Sequence, residues 1–211
     1  MNNDETLEVR TQLDIIAQAG IAAIPVIGGS LATLYFGKKQ EQRFRRLERF
    51  YEELRALVNL NLDQILPPDQ HEPASLSAII SEINECVEAD LVEEKRKYFQ
   101  ACFVNSLKTD NSDSSDRKRQ FVRSVLELTN LELEILVELD RAGDKAYYRY
   151  KPDDEEIAPA FNAGLENLRS RGFISARMGG ALQVNVNWGE ITRYSLSPYG
   201  REFVEFCGND T

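Results

Sequence analysis

The side chains that most often carry chemistry are scattered in this sequence. His71 is the single histidine, so any His-dependent triad or proton relay would have to use it. It stands in the proline-bracketed run PPDQHEP at residues 67–73, which reads as a surface loop. Ser30 in IGGSLA lacks the G-x-S-x-G elbow that would expose a nucleophile. Neither a P-loop nor a G-x-G-x-x-G run is present to cradle phosphate. Asp110, Asp113 and Asp116 recur without the bidentate Glu of a calcium loop and read as part of a solvated linker. The run DDEE at 153–156 suits a helix N-terminus, whose partial positive charge favours carboxylates. Cys86, Cys102 and Cys207 share no close spacing and have no paired histidines. That argues against zinc and for reduced thiols. The expectation is a non-enzyme with no catalytic residue, cofactor, metal or small-molecule substrate.

The residues that do say where the chain works are apolar and basic. Ile15 to Gly37 carries no charge and is followed at once by KKQEQRFRRLER. A helix of about 20 apolar residues crosses a bilayer core, and this segment is long enough, though Pro25, Gly28 and Gly29 interrupt it. Three readings stay open: a transmembrane helix, a re-entrant or interfacial hairpin turning near Pro25 to Gly29, and a buried helix pair in a soluble bundle. In the first, Gly29, Thr33 and Gly37 form a small-residue ridge for helix contact in lipid. Lys38, Lys39, Arg43, Arg45, Arg46 and Arg49 follow the segment, while Arg10 alone precedes it. That asymmetry places the basic end, and everything after it, in the cytoplasm. The same six side chains could face anionic lipid, form a solvated helix face, or contact nucleic acid. The acidic start MNNDETLEVR does not resemble a cleavable signal peptide, so the expected location is a membrane with the bulk of the chain cytoplasmic, with a soluble cytoplasmic protein as the alternative. The net charge is −10, and this is the only basic cluster.

Four regions position these residues: 1–37, the apolar segment; 38–108, long amphipathic helices; 109–116, a polar linker; and 117–211, a mixed domain. Phe44, Leu47, Tyr51, Leu54 and Val58 recur at steps of three and four, the stripe of an amphipathic helix. The stripe could be intramolecular core or an oligomer zipper. The prolines at 67–73 end that helix. A second helical region runs from Ser75 to about Leu107, with Leu76, Ile79, Ile80, Ile83, Val87 and Leu91 on one face. Asp116 is placed to cap the next helix, and Thr129 or Asn130 the one after, which Gly143 can end. DDEE should begin a helix through Phe161, with NAGLENLRSRG as another. FISARM, ALQVNVNW and ITRYSLS are strand candidates, and SPYGREFVEFC is a closing helix.

AYYRYK is short and strand-like, and helix, short strand, helix, helix, strand, turn, strand, helix is the order of a winged-helix domain, which residues 117–208 resemble. LENLRSRGFI is similar to the second helix of a helix-turn-helix, and YSLSPYGREFVEFC to the "L-T/S-P-x-G-x-x-F" ending of many winged helices. The whole chain also resembles a loose group of uncharacterised bacterial proteins of the abortive-infection (Abi-alpha) type. The matching residues are Ile24-Pro25-Val26-Ile27-Gly28-Gly29, Glu94-Lys95-Arg96-Lys97-Tyr98-Phe99 and Ser197-Pro198-Tyr199-Gly200. That resemblance implies a non-enzymatic role in phage defence or stress.

Asn162, Asn167, Arg169, Arg171, Arg177 and Arg193 are the residues that could contact DNA. Their domain nets acidic, whereas DNA affinity rests on neutralised phosphates. The expected architecture is mainly α, an N-terminal helical hairpin or bundle with a C-terminal winged-helix-like α+β domain. The expected function is a membrane-associated effector or adaptor that engages a protein partner or self-associates. The alternative is a soluble winged-helix DNA-binding regulator dimerising through its long helices.

Overall fold

The computed structural model describes residues 38–89, 93–143, 158–178 and 192–208. These are mainly helical, with seven α-helices and a small two-stranded sheet near the C-terminus. They fall into two compact units that divide between Leu126 and Glu127. The sequence placed its linker earlier, at 109–116, whereas the helix after that linker belongs with the first unit.

In the first unit, α1 (Lys38–Leu60), α2 (Pro73–Ala89), α3 (Arg96–Lys108) and α4 (Ser115–Glu127) follow in order. The composition of α1 is mostly Lys, Arg, Glu, Gln and Leu, all strong helix formers. Asn61 closes it by donating its side-chain amide to the Leu57 carbonyl at 2.8 Å. Pro73 opens α2, where a missing N–H costs nothing, and the Glu72 carboxylate accepts from the amides of Ala74 and Ser75.

The core gathers Leu47, Phe50, Tyr51 and Leu54 of α1 with Ile79 and Ile83 of α2 and Phe99, Cys102 and Phe103 of α3. Phe50, Tyr51 and Phe103 meet edge to face, with centroids 5.4 to 6.5 Å apart. Tyr51 keeps its hydroxyl satisfied by donating to Asn84 Oδ1 at 2.7 Å. Of the expected stripe, Leu47, Tyr51 and Leu54 are buried, Val58 is half-buried, and the side chain of Phe44 lies outside the description.

Two expectations are corrected here. The region from Ser75 to Leu107 is two helices rather than one, separated by a 3-10 turn at Glu93–Lys95. Lys95 in that turn is buried and donates to the Leu126 carbonyl at 2.8 Å, so the break is fixed by a contact with the end of α4. Asp116 does not cap α4: the helix begins at Ser115, and Asp116 lies in its first turn, 3.7 Å from Arg119.

The second unit holds α5 (Asn130–Ala142), α6 (Ala158–Ser170), β1 (Ile174–Met178), β2 (Thr192–Leu196) and α7 (Pro198–Cys207). Thr129, not Asn130, caps α5. It accepts from the Glu132 amide while the Glu132 carboxylate accepts from the Thr129 amide, a reciprocal capping box. Gly143 ends α5 at φ 61°. The helix expected to start at NAGLENLRSRG is a single helix that already begins at Ala158 and runs through Phe161. Pro159 in its first turn marks the start. The DDEE run lies outside the described residues.

Gly172, at φ 81°, terminates α6. Its amide donates to Arg169 and that of Phe173 to Leu168, a Schellman pair that needs a left-handed residue at this point. β1 then pairs antiparallel with β2, Ile174 opposite Leu196 and Ala176 opposite Tyr194. The expected middle strand at 181–188 lies outside the described residues.

Candidate functional site

The basic start of α1 divides into two groups. The first buried residue described on α1 is Leu47; Gln42, Arg43 and Arg45 before it are exposed. Arg43 precedes Leu47 by one helical turn. Arg46 is half-buried and Arg49 exposed, and both have partners within the unit. Arg46 donates twice to the Glu88 carbonyl, through Nε at 3.1 Å and through Nη2. Arg49 meets Glu93 at 2.7 Å, and Glu93 is shared with Arg96 at 3.3 Å. Arg96 in turn reaches Glu53 at 2.9 Å, and Glu53 accepts from Gln100 at 2.8 Å. Of the six basic residues expected to face lipid, two therefore clamp the junction of α2 and α3. The side chains of Lys38 and Lys39 lie outside the description. Pro25, Gly28, Gly29, Thr33 and Gly37 also lie outside the described residues. Among the described residues no helix is long and apolar enough to cross a membrane.

The EKRKYF motif is structural in this unit. Lys95 and Arg96 make the contacts above, Tyr98 and Phe99 are buried, and Lys97 lies over the Tyr98 ring, 5.0 Å from its centroid.

Three of the six DNA candidates are paired with carboxylates. Arg169 pairs with Glu166 at 2.8 Å, Arg171 with Glu127 at 2.7 Å, and Asn167 donates to Glu132. Asn162 and Arg177 are exposed, and the side chain of Arg193 is outside the description. The face that would need to meet phosphate thus carries its own carboxylates.

His71 departs from the surface-loop expectation, being only 7% exposed. Asp110 bends the loop after α3 onto itself, accepting from the Ser112 hydroxyl at 2.8 Å and from the Ser112 amide. Those bonds hold its carboxyl below the usual range, the hydroxyl bond most. Among the described residues no three His, Cys, Asp or Glu side chains are grouped to hold a metal ion.

The sequence missed one charged cluster. Glu82 lies on the apolar face of α2, between Ile79 and Cys86, and is buried. Arg123 grips it at 2.6 and 2.8 Å and Arg119 at 3.2 and 3.3 Å. Hydrogen bonding from Arg123 is the main cause that holds the Glu82 carboxyl below its ordinary value, against the opposing effect of burial. The signal was present: a carboxylate one helical turn from buried Ile79 must meet a cation, and α4 supplies two arginines four residues apart.

Compared with known proteins, the chain matches no family model, no curated protein and no solved structure at a significant level.

Proposed function

We propose that this chain is a non-enzymatic, membrane-associated adaptor whose folded units stand at the cytoplasmic face of a bacterial inner membrane. In this proposal residues 15–37 engage the bilayer, Arg43 and Arg45 meet anionic headgroups, and the C-terminal unit contacts a protein partner. The observation that carries it is the exposure of Arg43 and Arg45 on α1, before its first described buried residue and within the basic run that follows a segment without charge. Attraction to anionic lipid is worth about 1 kcal/mol per basic residue at the surface, and the acidic remainder of the chain would be held away from it. The helix, helix, strand, strand, helix order of the second unit supports a winged-helix-like domain. The pairing of Arg169, Arg171 and Asn167 with nearby carboxylates favours protein contact over DNA for that domain. A part in phage defence or stress rests on the resemblance of the three short motifs.

Alkaline-carbonate extraction of the full-length chain tests the proposal. The protein should stay in the membrane pellet, and removal of residues 1–37 should move it to the supernatant. Full-length protein in the supernatant before extraction would refute membrane association. Salt-sensitive duplex binding that weakens on Arg169→Ala or Arg171→Ala would replace it with the regulator alternative.

A further inference from the structure

The connector between α1 and α2, residues 61–72, passes through two short 3-10 turns, Leu62–Gln64 and Pro68–Gln70. The Glu72 carbonyl at its end accepts from the Leu76 amide of α2 at 3.1 Å, and two of its amides reach the end of α3 and the loop that follows. The Leu66 amide donates to the Leu107 carbonyl at 3.0 Å, and the Glu72 amide donates to the Asp110 carboxylate. Little else in the connector is buried: Asp63, Gln64, Pro67, Asp69 and Gln70 are all exposed. His71 is the exception, and its burial is unusual. Neither ring nitrogen has a hydrogen-bond partner among the described residues. A neutral imidazole carries one donor and one acceptor. Withdrawn from water and left unmatched, both raise the free energy of the closed connector relative to any state in which water reaches the ring.

We propose that residues 61–72 form a strap that opens as a local unit while the helices stay folded, with His71 setting how often it does so. Opening breaks the Leu66–Leu107 and Glu72–Asp110 bonds and wets the imidazole. It also frees the Leu107 carbonyl, close to the end of α3, for another donor. The connector thus places a destabilising side chain in a segment that the Leu66 and Glu72 amides tie to the end of α3 and the loop after it. Such low-stability segments are where proteins open below the free energy of global unfolding.

Native-state hydrogen exchange on the full-length chain, read at single amides in dilute urea, tests this. The Leu66 amide should exchange at least about tenfold faster than those of Phe103 and Val104 in α3, and with a shallower urea dependence, the mark of a local opening. His71→Phe, which keeps a ring and removes both polar atoms, should slow exchange at Leu66 about tenfold. His71→Met serves the same purpose if the phenylalanine does not fit. Leu66 exchanging at the rate and urea dependence of the α3 amides would overturn the proposal. So would faster or unchanged exchange at Leu66 in both variants, because the imidazole would then not be what destabilises the closed strap.

Discussion

A β-carbon on Gly200 would stand 1.9 Å from the carbonyl oxygen of Phe173. The first turn of α7 therefore meets the turn after α6 backbone to backbone. Ser197 completes the lock: its amide donates to the Phe173 carbonyl at 2.9 Å, and its hydroxyl donates to the Gly172 carbonyl and accepts from the Gly200 amide. The S-P-Y-G motif is thus a fastening between α6 and α7. Gly200→Ala should destabilise the second unit by about 3 kcal/mol. Urea unfolding followed by circular dichroism measures this; a midpoint equal to wild type would show that the backbones are not in contact.

Glu82 should make the first unit acid-sensitive. Its folded carboxyl lies below the ordinary value of 4.5 because Arg123 and then Arg119 bind the charged form. Such a group adds stability that is fully present at neutral pH and lost as pH falls below that value. Glu82→Gln should cost about 2 kcal/mol at pH 7, less than a fully buried pair because both arginines reach solvent. The stability difference between wild type and variant should shrink on acidification below pH 4.5. A difference that stays constant from pH 7 to pH 3 would contradict the assignment.

The arginines of α1 should separate by phenotype. Arg46→Ala leaves the Glu88 carbonyl without its cap and should lower stability by about 1 kcal/mol. The pair Arg43→Ala and Arg45→Ala should weaken binding to vesicles containing phosphatidylglycerol about tenfold. Thermal melts and vesicle flotation on the same proteins resolve the two. Equal vesicle binding by the double variant would remove lipid contact from those residues.

Cys86 should be chemically quiet in the folded chain. Burial, first among the causes, pushes its thiol up to about 12, so little thiolate exists at pH 8. Alkylation by iodoacetamide at pH 8 should run more than about a hundredfold slower at Cys86 in the native protein than in 6 M guanidinium. Similar rates in both would mean that the core around α2 and α3 is open.

Helix type and most caps were legible in the residues. Leu47, Tyr51 and Leu54 announced α1, Thr129 and Glu132 the start of α5, Gly143 its end, and Ser197 with Pro198 the start of α7. Phe50 was not legible. It falls outside the expected stripe, yet no described side chain on α1 is more completely buried. α1 is flanked by both α2 and α3, and a helix covered from two sides buries a wider arc than its narrowest apolar stripe. The turn at Glu93–Lys95 had no glycine or proline to signal it.

By itself the sequence determined the local elements, since helical periodicity, caps and strand pattern depend on residues close together in the chain. It also determined that an uncharged segment leads directly into a basic helix. Only the tertiary structure decided the fate of each charge. Arg46 is drawn onto the Glu88 carbonyl, and Arg49, itself exposed, onto Glu93; Arg123 is claimed by Glu82, and Arg171 by Glu127. The reason is range. A helix stripe is written in steps of three and four, whereas these pairs join residues about 40 apart, and which of many carboxylates an arginine meets depends on how the helices pack.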